Sequence, residues 1–155
     1  MTDIRTVWID GQSGDWRMAQ NPPGLLEAEA GLETAVLLSL FTDRRAEPGD
    51  ELPAGEADPR GWWGEALAGP DAPPLGSRLW LLAREKQTTQ VLARARLYGE
   101  EALAWLVADG VARSVSVATE WIGRGVMSID VKIARPSGVG SRFAFIWQEV
   151  GANAV

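Results

Sequence analysis

The chain has 155 residues, a formal net charge of −6, and neither cysteine nor histidine. That length suits one domain with a real core. The missing residue types exclude disulfides, Cys/His zinc sites, cysteine nucleophiles and every Ser-His-Asp arrangement, and the acidity disfavours nonspecific nucleic-acid binding and anionic membrane surfaces.

No apolar run approaches membrane-spanning length. The start, "MTDIRTVWIDGQSGDW", has no basic segment followed by an apolar block, so a signal peptide is not expected and assembly in a cytoplasm is. "TVWI" (6–9), the turn formers "DGQSGD" (10–15) and "WRMA" (16–19) read as an N-terminal β-hairpin, with Trp8 and Trp16 facing each other or the core. "NPPG" (21–24) breaks the chain.

A first helix is expected over 31–41, with a possible start near Leu25. Its second half, "AVLLSLF", is apolar nearly all round and should be buried. Arg44 and Arg45 follow where cations favour a helix C-terminus.

Positions 43–76 form an acidic loop rich in proline and glycine. From Asp43 to Asp71 there are eight acids against three arginines. Long irregular connections of this kind are usually functional or disordered. "WWGEAL" within it can form one helical turn. "GSRLWLLAREK" (76–86) reads as a short helix, or else a strand, with Ser77 as its cap.

The longest helix is expected over 88–107. Val91, Ala95, Tyr98, Ala102, Trp105 and Leu106 lie on one face, and Gly99 marks a place for a kink. Three strands then follow, over 112–122, 126–134 and 142–150. In the second, Val126, Ile129, Val131 and Ile133 alternate with Ser128, Asp130 and Lys132, with a shift near Met127. Hairpin, two or three helices, then an antiparallel meander make an α+β fold in a single domain spanning 1–155.

Motifs for chemistry are sparse. The glycines of "GRGVMS" and "GVGS" follow turns and build no phosphate cradle. Glu47 and Asp58 are the carboxylates to test for a glycosidase pair, although solvation of the loop explains such acids as well. No cofactor or metal is expected. The eight tryptophans say more. Trp80, Trp105, Trp121 and Trp147 sit in periodic segments as core anchors. Trp62 and Trp63, in "DPRGWWGE", sit in the polar loop. Trp63 is expected in the core, and Trp62 with Arg60 at a partner.

"TAVLLSLFTDRRAEPGDELP", "DPRGWWGE", "GSRLWLLAREKQT" and "EEALAWLVADGVA", in that order, closely resemble the Mu-like phage tail protein family, a baseplate component of contractile-tailed phages and prophages. That family resembles in turn the wedge and sheath-initiator proteins of other contractile tails, in which a helix leads into a "TxxGER…PEFG" loop. "PEFG" is absent from this chain and its loop is longer. The resemblance implies a virion-structural, non-enzymatic protein of the tail baseplate, present in six copies. Its implied partners are wedge proteins, tail sheath subunits and the central hub or spike.

A meander edge would accept a strand from the sheath, with Val126, Ser128, Asp130 and Lys132 as candidates. Arg60, Trp62 and Trp63 would face the wedge. Some relatives of the initiator are described as lysozyme-like, which implies a peptidoglycan hydrolase as an alternative. A tail-assembly chaperone absent from finished particles is another.

Overall fold

A computed structural model describes residues 3–4, 6–9, 13–16, 18–20, 23–26, 28–29, 31–69, 74–138 and 140–148. The N-terminal part contains six short strands: β1 (Asp3–Ile4), β2 (Thr6–Ile9), β3 (Ser13–Trp16), β4 (Met18–Gln20), β5 (Pro23–Leu26) and β6 (Ala28–Glu29). They pair antiparallel as β1 with β6, β2 with β3 and β4 with β5.

The expected hairpin is the β2–β3 pair. Trp8 lies opposite Gly14 and Trp16 opposite Thr6, so the two tryptophans are not cross-strand partners. Trp8 instead stacks on Phe41, with ring centroids 3.9 Å apart and planes 11° from parallel. Its indole N–H donates to the Ile146 carbonyl at 2.7 Å. The side chain of Trp16 and residues 21–22 of "NPPG" lie outside the described residues; across those two positions, Gln20 faces Pro23 in the β4–β5 ladder. Leu25 and Leu26 belong to β5 and do not begin the helix.

Helix α1 spans Leu32–Phe41. Val36, Leu37, Ser39 and Leu40 are buried, as expected of an apolar segment, but Leu38 points outward. The expected short helix at 76–86 is a 3-10 turn, Leu79–Leu82, with all four side chains buried. The Ser77 hydroxyl accepts the Leu79 N–H at 3.2 Å and donates to the Leu40 carbonyl, so it ties this turn to the end of α1, while the cap position itself is held by Arg78 and not, as expected, by Ser77.

The long helix runs as α3 (Thr89–Ala102) and α4 (Trp105–Ala108), after the short α2 (Glu65–Ala68) in the acidic loop. Thr88 caps α3 by accepting the Val91 N–H at 3.2 Å. The break is at Leu103–Ala104, not at Gly99. There the Ala104 and Leu106 N–H groups bond three residues back, to Glu101 and Leu103. Gly99 has a packing role instead. A Cβ at that position would lie 3.2 Å from Val117 and 3.6 Å from Leu40, so glycine lets α3 approach both the sheet and α1.

The last third is the antiparallel sheet β7 (Ser114–Gly123), β8 (Val126–Ala134) and β9 (Gly140–Gln148), with β8 in the centre. Met127, Ile129, Val131 and Ile133 form one buried row on β8. Met127 is therefore in phase, and Val126 belongs to the outer face. The irregularity lies across the turn, at Trp121–Gly123 of β7. The core joins this row to Val36, Leu37 and Leu40 of α1, the 3-10 turn, Val91, Ala95 and Tyr98 of α3, and Phe145. Each large side chain there contributes about 1.5–3 kcal/mol through burial. The fold is α+β, with a hairpin, helices and a terminal meander in chain order.

Candidate partner-binding surface

The loop from Asp43 to Gly69 is irregular apart from α2, yet it is firmly held. Ser77 and Asp43 form a short parallel bridge, in which the Arg44 N–H donates to the Ser77 carbonyl at 3.0 Å and the Ser77 N–H to the Thr42 carbonyl at 2.9 Å. Gly76 permits this closeness. Its φ is +97°, and a Cβ would overlap the Thr42 carbonyl. The Trp80 indole N–H reaches across to the Arg44 carbonyl at 2.8 Å.

Two arginines then pin the loop. Arg78 bonds Asp50 at 3.0 Å and Glu101 of α3 at 2.8 Å, and its guanidinium lies 4.8 Å from the Tyr98 ring centroid. Arg44 shares Glu101, at 3.0 Å. Burial opposes charge on Asp50, but the Glu47 N–H and the Arg78 guanidinium outweigh it and hold the carboxyl below its ordinary 3.8. Burial likewise opposes charge on Arg78, and the hydrogen bonds it donates to Glu101 and Asp50 more than offset it, raising its pKa.

Arg60 is the second pin. Its backbone φ is +52°, a conformation held by the Asp58 carboxylate accepting the Arg60 N–H at 2.8 Å. The side chain bonds both oxygens of Glu56 and reaches Asp43 at 2.9 Å, while the guanidinium covers the Trp80 ring at 4.5 Å. These carboxylates raise its pKa against the effect of burial. Arg60 therefore organises the loop from within.

The tryptophan pair departs from expectation. Trp63, expected in the core, is 74% exposed, and Trp62 is 38% exposed. The buried indole beneath the loop is Trp80, with the Arg60 guanidinium over its ring. Trp62 folds back over Gly64 instead, where any Cβ would overlap its ring. The two indoles lie 5.5 Å apart, and Leu67 in the following α2 is 79% exposed. They form an apolar patch on the loop.

Val126, Ser128, Asp130 and Lys132 do share one face, the outer face of the sheet, but they do not lie on an edge. β8 is paired on both sides, so its main chain cannot accept another strand. The edges are β7 and β9. Asp130 is bonded by Arg142 of β9 at 2.8 Å. Because the Ile146 carbonyl points at Trp8 and away from β8, the N–H and C=O groups of Ala144 and Arg142, in the same alternation, also point outward.

Neither carboxylate of the glycosidase reading has the apolar enclosure that a general acid needs. Glu47 pairs with Arg44 at 3.4 Å and Arg78 at 3.5 Å, and Asp58 supports the Arg60 backbone. Among the described residues no group of three acidic side chains could hold a metal ion. No helix among them is long and apolar enough to cross a membrane. Sequence reasoning missed a cleft of 390 Å³ between Trp8, Phe41, Arg60, Trp80, Arg84 and Trp147. Its walls come from five separate segments, and no local motif marks them.

The phage protein GP46 family matches residues 32–140, which include α1, the loop, α3 and the first two strands of the meander. The chain belongs to that family. It is 44% identical over 138 residues to the baseplate protein gp46 of Escherichia phage Mu, covering 89% of this chain and 90% of the phage protein. It is 37% identical, with the same coverage, to the Mu-like prophage FluMu protein gp46 of Haemophilus influenzae.

Proposed function

We propose that this GP46-family protein is a structural, non-enzymatic component of a contractile-tail baseplate, linking the baseplate wedge to the first ring of sheath subunits. The observation that carries the reading is the 44% identity to the Mu baseplate protein across nearly the full length of both chains. In this reading the acidic loop with Trp62 and Trp63 faces the wedge, and the meander templates the sheath by accepting an extended arm. The outward main chain of Arg142 and Ala144 on β9 is the favoured place for that arm. A main-chain ladder supplies affinity without a catalytic side chain, which suits a chain lacking histidine and cysteine. Six copies would match a six-fold baseplate.

The test is cryo-microscopy of assembled tails together with mass spectrometry of purified particles. The expected result is the protein at the tail end, with a sheath strand alongside β9 and the loop against another baseplate protein. Absence from finished tails would instead indicate an assembly chaperone. Lysis of cell walls by the purified protein, lost in Glu47→Gln or Asp58→Asn, would indicate a hydrolase.

A further inference from the structure

We infer that the patch of Trp62, Trp63 and Leu67 docks a basic amphipathic helix of another baseplate protein. The patch is apolar and exposed. Trp62 and Trp63 pack together in the turn just before α2, Leu67 is exposed within α2, and isolated globular proteins rarely leave such apolar area uncovered. It is also preorganised, because the Arg60 and Arg78 pairings fix the loop and Trp62 is seated on Gly64. A rigid patch loses little conformational entropy on binding.

Charge complementarity specifies the rest. From 43 to 69 the loop has seven acids and three arginines. Arg44 and Arg60 are spent on internal pairs. Among the described residues Glu51, Asp58 and Glu65 form no ion pair, and one Glu65 oxygen is buried without a hydrogen-bond partner. Arg45 packs its Cβ against Gly61 and Arg84 donates to the Ala54 carbonyl, yet seven acids against three arginines leave the loop itself net negative. The occupant must therefore present an apolar stripe flanked by Lys or Arg. It must also bind through side chains, since the turn at 63–64 and the short α2 offer no strand edge. A helix meets both demands, laying an apolar stripe on Trp62, Trp63 and Leu67.

The partner's identity rests on the baseplate reading; its chemistry rests on the loop alone. The full chain is titrated by calorimetry with two synthetic amphipathic helices sharing one Leu/Ala face, one with Lys and Arg on the polar face, the other with Glu. Expected are binding of the basic helix that weakens with salt, and binding of the acidic helix at least about ten-fold weaker. Trp63→Ala, and separately the triple change Glu51→Gln, Asp58→Asn, Glu65→Gln, each weaken the basic helix by about ten-fold or more with an unchanged circular dichroism spectrum. Equal binding of both helices, binding of neither, or indifference to Trp63→Ala overturns the inference. Self-association abolished by Trp63→Ala also overturns it and assigns the patch to a second copy. Mass spectrometry of tails separately decides the baseplate reading.

Discussion

At the scale of single residues, two glycines show how backbone approach shapes the surface. Gly76 has φ +97° and no space for a Cβ beside the Thr42 carbonyl. Gly76→Ala therefore strains the backbone and pushes the 3-10 turn away from α1. The expected cost is about 1–3 kcal/mol, read as a lower urea midpoint with an unchanged slope. Gly99→Val tests a different contact. It adds bulk where Val117 and Leu40 already lie within 3.2 and 3.6 Å of a Cβ position. Overpacking there should cost about 1–3 kcal/mol by the same measurement. Helix propensity alone suggested a kink at Gly99, because propensity carries no information about a strand that packs on the helix from outside. The same blindness explains the tryptophan pair. Adjacent residues always diverge, but whether either turns inward depends on what lies beneath, and here the buried indole is Trp80, covered by Arg60.

At the scale of elements, periodicity made α1, the long helix and all three strands of the meander legible, because each buries one face against the core. The small N-terminal ladders were less so. Strands of two to four residues carry too few positions for a period to show. The ion-pair frame of the loop was illegible for another reason: Arg78 meets Asp50 and Glu101 from 28 and 23 positions away. This frame is testable. Arg78→Met removes one cation that serves three carboxylates, Glu47, Asp50 and Glu101, and leaves them underpaired, so stability at neutral pH should fall by about 1–3 kcal/mol, less than for a fully buried pair because Glu101 is partly solvated. The sign with pH follows from Asp50. Its folded pKa lies below its unfolded value of 3.8, so its stabilisation is present above that value and is lost as the pH falls below it. Urea midpoints measured on either side of about pH 4 should drop less steeply in Arg78→Met than in the unaltered protein.

At the scale of the whole molecule, the two proposed attachments lie on different parts of the fold, and they can be tested separately. In the proposal the patch on the loop binds by side chains and the sheet edge by main chain. Ala144 is the place to separate them. Its N–H points away from β8, so proline there removes no bond of the β8–β9 ladder, and an edge strand tolerates it where a central strand would not. Ala144→Pro should therefore leave the circular dichroism spectrum and thermal midpoint nearly unchanged, and leave binding of a basic helix at Trp63 intact. In a phage complementation assay it should yield baseplates that contain the protein but carry no sheath. Lys132→Ala, on the paired central strand β8, should assemble sheath normally, since its side chain lies on the outer face and its main chain is already satisfied. Normal sheath with Ala144→Pro would exclude the β9 edge and move the strand contact to β7. Sheath loss with Lys132→Ala would instead mean that the outer face of the sheet, rather than its edge, is what the sheath recognises.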